Sequence, residues 1–291
     1  MSDPRSAAAR ASEQRALDAQ FTLDTIANLE DVFARRALAA RSADGRYNIV
    51  RNIPYGDAPD QTLDFYPAAR ADAPVLVFIH GGFWSSMRAA DFSFLADGFV
   101  PFGASLAILD YPLIPAVRMA DIVESCRRAV AWIAREGRRH GMNPERIFVA
   151  GNSAGGHLVA ELADRRWMKA EGLPLDIVKG GCAISGLFDL APVAASFRNQ
   201  LLQFAPEEVA RFSPLWRPID VGAPMIIAVG GRETEEFLRQ SSEYANACRA
   251  RVSVEYLIVE GTDHITVVLD AFANSGAELN RAMRRQMGLA V

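Results

Sequence analysis

Ser153 sits in Gly151-Asn152-Ser153-Ala154-Gly155, which joins an apolar run ending at Ala150 to a helical pattern over Ala154 to Arg166. The turn from strand to helix is so sharp that side chains at the two glycine positions would collide with their neighbours, while the serine is thrown outward. It would also stand at the positive end of the following helix. These are the conditions for a serine that attacks a carbonyl carbon. Such a nucleophile needs a base to take its proton, a carboxylate to orient the base, and main-chain donors for the oxyanion that forms.

Those partners should follow the serine in the order acid, then base, each just after a later strand. Val254 to Val259 reads as the last strand and closes with Gly261-Thr262-Asp263-His264. His264 is the one histidine after Ser153 in a strand-end loop, which makes it the expected base. His80 belongs to an earlier loop, His140 to the basic stretch Arg138-Arg139-His140, and His157 lies one turn beyond Ser153, where a packed role suits it better. Met225 to Gly230 is the preceding strand, followed by Gly231-Arg232-Glu233-Thr234-Glu235-Glu236. Glu233, nearest the strand end, is the favoured acid. Glu235, Glu236 and Asp263 remain as alternatives: the first two suit a helix N-terminus, and the third adjoins the base but should point elsewhere.

An apolar run from Pro74 to Ile79 reads as a strand covered on both faces, and it ends in His80-Gly81-Gly82-Phe83-Trp84. A glycine pair there lets the main chain approach a reacting oxygen. The expected donors are the N–H groups of Gly82 and Phe83, joined by that of Ala154. Each such donor contributes ~3 to 4 kcal/mol to lowering the barrier. His80 would brace this loop by hydrogen bonding.

Around these motifs strand and helix alternate. Strands are expected near Asn48 to Ile53, Thr62 to Tyr66, Ser105 to Leu109 and Ile177 to Ile184, and Ile122, Cys126, Ala129 and Ile133 form the apolar stripe of a helix. Ahead of them Ile26, Leu29 and Phe33 mark an amphipathic helix over roughly Ala16 to Arg41, in position either to cover the active site or to pack far from it. The stretch Ser185 to Ala223 is long and rich in proline and aromatics, as lids and binding loops are. Part of it, with Phe188 and Trp216, is expected to wall the substrate pocket opposite Phe83 and Trp84. Tyr111, at the carboxyl end of a strand, is a further candidate substrate contact, and Asp110 a loop anchor. The organisation implied is a helical extension over 1–45 and one catalytic domain over 46–291, carrying a cap-like insertion at about 186–222.

Composition agrees with one enzyme domain. At 291 residues and 50% hydrophobic content the chain can bury a large core. Thirty-one basic against 35 acidic residues give a net charge of −4, and no basic patch with interleaved aromatics suggests nucleic acid. Cys126, Cys182 and Cys248 are widely spaced and lack any C-x-x-C, which argues against a disulfide framework and a zinc site. Met1 to Arg10 has no apolar core for a signal peptide and no run approaches a membrane span, so a cytoplasmic protein is expected. The chemistry requires no metal or organic cofactor, and the partner is a small-molecule amide or ester. An exposed edge or helix leaves room for a homodimer.

Together these pieces resemble the α/β-hydrolase fold from roughly Tyr47 to Met287. Within it, His80-Gly81-Gly82-Phe83-Trp84, the elbow continued to Gly156-His157, and Glu236-Phe237-Leu238-Arg239-Gln240-Ser241 are similar to the arylformamidase (kynurenine formamidase) group and neighbouring hormone-sensitive-lipase-like carboxylesterases. The resemblance implies a mostly parallel central sheet flanked by helices, and hydrolysis of an N-formyl aryl amine by a Ser-His-Glu triad. A related aryl or short-chain ester is the alternative substrate. Members compared often carry Asp where this chain has Glu233. A ligand receptor on a hydrolase scaffold is the third reading, disfavoured because no triad member is missing.

Overall fold

The computed structural model describes residues 4–24 and 26–291. The first three residues of the segment that argues against a signal peptide, and Thr25 within the expected N-terminal helix, lie outside the described residues. Strands β1 (Val50–Pro54), β2 (Thr62–Tyr66), β3 (Val75–Ile79), β4 (Ser105–Leu109), β5 (Ile147–Asn152), β6 (Val178–Ile184), β7 (Met225–Gly230) and β8 (Val254–Val259) form one sheet in the order β1-β2-β4-β3-β5-β6-β7-β8. β2 runs antiparallel to both β1 and β4, and every other pairing is parallel.

The helices are α1 (Pro4–Ala19), α2 (Leu29–Asp44), α3 (Ala96–Phe99), α4 (Met119–Glu136), α5 (Ala154–Ala163), α6 (Arg165–Ala170), α7 (Leu190–Ala195), α8 (Asn199–Leu202), α9 (Pro206–Arg211), α10 (Glu235–Arg249) and α11 (Glu278–Gln286). β3 and β4 are continuous apolar runs because both faces are covered. Val75, Val77 and Ile79 of β3 pack with Ile122, Cys126, Ala129 and Ile133 of α4. Their alternates Leu76 and Phe78 face the other way, towards Phe92, Phe272 and Met283. Because β3, β5, β6, β7 and β8 are parallel, the loops after all five emerge at one edge. That edge collects His80, Ser153, Ser185, Glu233 and His264.

Two expectations need correction. The helix expected over Ala16 to Arg41 is two helices, α1 and α2, separated by a turn-rich connection that contains Ile26. Within it Thr22 Oγ1 accepts the Asp24 N–H at 3.2 Å, and Asn28, with φ 54°, leads into α2 in a left-handed conformation. The elbow helix stops at Ala163, not Arg166: Asp164 leaves helical geometry, pairs as a bridge with Val221, and caps α6 by accepting the Arg166 N–H at 2.9 Å. The stretch 186–222 forms α7 to α9 and lays Phe188, Phe204 and Phe212 into the core. Among the described residues no helix is long and apolar enough to cross a membrane.

Candidate active site

Ser153 occupies the turn between β5 and α5 at φ 59° and ψ −121°, a sparsely populated region for a residue with a side chain. Its N–H donates to the Ile184 carbonyl at 2.8 Å and its carbonyl accepts the His157 N–H at 3.0 Å, so both neighbouring elements hold the strain in place. A Cβ on Gly151 would meet the Gly155 carbonyl oxygen at 2.5 Å, and one on Gly155 would overlap the Ile79 carbonyl oxygen. Glycine at both positions is therefore a steric requirement of the elbow.

Glu233 and His264 arrive from the loops after β7 and β8. His264 Nδ1 lies 2.6 Å from Glu233 Oε2, which selects the tautomer protonated at Nδ1 and leaves Nε2 as the basic nitrogen. The other carboxylate oxygen of Glu233 accepts the Gly230 N–H at 2.7 Å and the Ser185 hydroxyl at 2.5 Å. Both oxygens are thus engaged in a buried environment. The competing carboxylates are occupied elsewhere: Asp263 Oδ1 accepts the N–H groups of Ile265 and Thr266, and Glu236 binds Arg239 and Gln240. Glu235 is exposed in the first turn of α10. Phe237 rests against the His264 ring at a centroid distance of 4.4 Å.

The loop after β3 lies directly on the elbow. A Cβ on Gly81 would stand 2.9 Å from the Asn152 carbonyl oxygen and 3.1 Å from Ser153 Cβ. Gly82, Phe83 and Trp84 follow with φ of 98°, 47° and 56°, three consecutive left-handed residues. Among the described residues the N–H groups of Gly82 and Phe83 donate to no protein acceptor. Ala154 opens α5, where first-turn N–H groups have no intrahelical acceptor. His80 does brace the loop: Nδ1–H donates to the Gly81 carbonyl at 2.9 Å, its ring stacks on Tyr111 at 4.3 Å, and the Tyr111 hydroxyl donates to the His80 carbonyl at 2.8 Å. Burial lowers the His80 pKa to about 4, so the ring is neutral. Asp110 Oδ1, 3.7 Å from His80 Nε2, makes no hydrogen bond with it and instead accepts the Ala89 N–H, anchoring the following segment.

The cleft at Ser153 has two small lobes, of about 50 and 10 Å³. One is lined by Ser153, Asn152, Gly82, Met87, Arg36 and Ile265; the other by Glu233, Asp263, Arg232, Phe237, Phe21 and Ile26, among others; Leu23, Phe83 and His264 border both. The four substrate contacts expected from sequence are not among these residues. Trp84 is 0% exposed, wedged against His157 and Phe204. Tyr111 is spent on His80, and Phe188 stacks on Tyr244 at 4.1 Å. Trp216 is 65% exposed at the outer surface. The first three fail for one reason, that an aromatic residue type reports burial tendency and not the place where the ring is buried, whereas Trp216 is not buried at all.

What lines the cleft instead is the N-terminal region, through Phe21, Leu23, Ile26 and Arg36, so the covering role is the one this region takes. The insertion acts at one remove. Arg198 donates twice to the Phe21 carbonyl, at 3.0 and 2.8 Å, and its guanidinium lies 4.2 Å from the Phe83 ring centroid. It joins the insertion, the N-terminal connection and the loop after β3 in one clasp. Gln240 fastens the other end of the insertion, accepting the N–H groups of Phe188 and Asp189 at 2.6 and 2.8 Å, while Arg239 pairs with Asp189. The motif Glu236 to Ser241 is accordingly a buttress behind the site. Ser185 was legible as another strand-end residue; Phe21, Leu23 and Arg36 carried no local signal. Among the described residues no group of three or more His, Cys, Asp or Glu side chains is arranged to hold a metal ion.

Residues 76–268 match the family Abhydrolase_3, of the alpha/beta hydrolase fold. Kynurenine formamidase of Danio rerio is 28% identical over 251 residues, covering 82% of this chain and 84% of that protein. Kynurenine formamidase of Salmo salar is 25% identical over 255 residues, covering 84% of each. A crystal structure of a putative thioesterase from Silicibacter superposes with a TM-score of 0.80 at 26% identity, covering 91% of this chain and 97% of that one. An esterase from Pyrobaculum calidifontis shares the fold with a TM-score of 0.70 at 20% identity, covering 94% of each chain.

Proposed function

The chain belongs to the α/β-hydrolase family Abhydrolase_3, and from that premise we propose that this serine hydrolase cleaves an N-formyl aryl amide, with Ser153 as nucleophile, His264 as base and Glu233 as the orienting acid. The contact between His264 Nδ1 and Glu233 Oε2 carries the assignment of roles, because it leaves Nε2 as the nitrogen that takes the serine proton. In the first step Ser153 Oγ attacks the formyl carbon as Nε2 takes its proton. The tetrahedral oxyanion is received by the N–H groups of Gly82, Phe83 and Ala154, which are prepaid in the sense that the loop is already strained into place. Collapse expels the aryl amine, which receives the proton from Nε2. Water then attacks the formyl ester with the same base, and formate leaves. The imidazolium formed twice in each cycle is stabilised by Glu233.

The formamide is favoured over other acyl substrates by the two formamidase relatives, each matched along most of its length. The lobe formed by Phe21, Leu23, Ile26, Phe83 and Phe237 presents apolar walls of the kind an aromatic leaving group packs against, and at about 10 Å³ it must widen to admit a ring. Broad carboxylesterase activity is the second reading, supported by that same apolar lobe, which would take an acyl or aryl ester equally well. The two separate on purified protein by comparing kcat/KM for N-formylkynurenine and p-nitrophenyl acetate. The formamide should be the better substrate; efficient ester hydrolysis with no formamide hydrolysis would replace the first reading by the second.

A further inference from the structure

Arg36 projects from α2 into the lobe that contains Ser153. Its Cζ lies 5.0 Å from the Phe33 ring centroid and 5.5 Å from that of Phe92, and Nη1 lies 3.6 Å from Met87 Sδ. These neighbours fix the guanidinium by stacking and by a weak sulfur acceptor, leaving most of its five donors uncommitted. Among the described residues no carboxylate comes within ion-pair distance of it. The contrast with its neighbour is direct: Arg35 is paired with Asp270 at 2.5 Å. The carboxylates that face the cleft, Glu233 and Asp263, lie in the other lobe and are held by the groups already described.

We infer that Arg36 is a specificity-determining residue that receives a carboxylate carried by the substrate, next to the bond that Ser153 attacks. A half-buried guanidinium held between two rings and a thioether, with no acidic partner, is a site for a planar anion that can take two of its N–H donors. Burial also weakens its hold on its own proton, as expected of a cation that lacks a counter-charge, while Asp91 at longer range pulls the other way. The second lobe carries Arg232 beside Glu233 and Asp263, so its charges offset one another, whereas Arg36 is, among the described residues, the one Arg or Lys side chain that lines the lobe with Ser153. This inference rests on the serine-hydrolase reading and narrows it from aryl acyl compounds in general to those bearing a carboxylate.

The test uses a matched pair, N-formylkynurenine and the compound with its carboxylate replaced by a carboxamide. The wild type should favour the acid by about 10- to 100-fold in kcat/KM, the scale of one charge-assisted interaction in a partly desolvated site. Arg36→Gln should collapse that ratio, chiefly through KM, and Arg36→Lys should keep part of it. A ratio unchanged in Arg36→Gln, or equal losses on both compounds, overturns the inference. Should neither formamide be cleaved, the formamidase reading fails by itself. Arg36 is then judged by how strongly benzoate, against benzamide, slows fluorophosphonate labelling of Ser153. Benzoate protection that is lost in Arg36→Gln upholds the assignment; equal protection by both compounds rejects it.

Discussion

Glu233 and Ser185 meet at the carboxyl edge of the sheet, where the Ser185 hydroxyl donates to Glu233 Oε1 at 2.5 Å while the opposite carboxylate oxygen faces His264 at 2.6 Å. Ser185 is fully buried and sits at φ 51°, just past the end of β6, so its hydroxyl has one direction to point. It is a positioning residue for the acid. Ser185→Ala should lower kcat by about 10-fold with KM little changed, the scale of one hydrogen bond to a charged group. Glu233→Gln should cost more, towards the ~10⁴-fold seen when a triad carboxylate is replaced by its amide. Steady-state kinetics on both variants check the order; a Glu233→Gln enzyme as active as wild type would move the acid to Glu235, Glu236 or Asp263.

The loop proposed to supply the oxyanion donors has no room for a single added methyl group at Gly81. Gly81→Ala places a carbon 2.9 Å from the Asn152 carbonyl oxygen and 3.1 Å from Ser153 Cβ, and backbone must move to relieve it. Displacing one main-chain donor from the oxyanion is expected to reduce kcat by about 10²- to 10³-fold. Circular dichroism should show an intact fold in the same preparation. Full activity in Gly81→Ala would mean that the loop does not supply the donors.

Arg198 gives the insertion a catalytic consequence without touching substrate. Removing it frees the Phe21 carbonyl and the face of Phe83 together. Arg198→Ala should raise KM by about 10-fold through loosening of the cleft wall, and Arg198→Lys should not restore it, because the bidentate donation and the stacking both need the planar guanidinium. Equal KM values in wild type and Arg198→Ala would remove the insertion from the account of the site.

Acid should destabilise the protein through two buried histidines. Burial lowers the His157 pKa from 6.5 to about 3 and that of His80 to about 4. Since the folded values lie below the unfolded ones, the unfolded chain takes up protons first as pH falls. The stabilising contribution is complete above about pH 6.5 and is lost progressively towards pH 4 and below, at about 1.4 kcal/mol per unit for each group. Asp110 and Glu161, whose values burial raises, act in the opposite sense and offset part of the loss. His157→Gln, which retains a donor for the Phe212 carbonyl bound by Nε2 at 2.9 Å, should flatten the fall in Tm between pH 7.5 and 5. Parallel curves for variant and wild type would exclude His157 as a source.

The parts of this site that were legible in the sequence are those set by short-range physics. Glycines at 151 and 155 are imposed by carbonyl oxygens a few residues away or on the adjacent strand, and the apolar runs of β3, β5 and β7 announce where strands end. Because the sheet is parallel, strand ends share an edge, and the order Ser153, Glu233, His264 follows. The cleft wall was not legible, because it is made by contacts between distant segments: Phe21 meets Phe237, and Arg36 meets Met87. Nothing in the local pattern around Phe21 distinguishes it from Phe188, yet the first lines the cleft and the second fills the core. The break between α1 and α2 was hidden for a related reason, since Ile26, Leu29 and Phe33 all join one cluster with Val32 and Ile265 although Ile26 precedes the helix. An apolar spacing records a shared burial face, and a turn can keep that face as well as a helix can.

The central claim is that Ser153 is the nucleophile activated by His264, and reaction with a fluorophosphonate followed by peptide mass spectrometry tests it most directly. The expected result is one adduct, on Ser153, absent from Ser153→Ala and formed far more slowly in His264→Ala. An adduct that persists in Ser153→Ala, or that forms at the wild-type rate in His264→Ala, would contradict it.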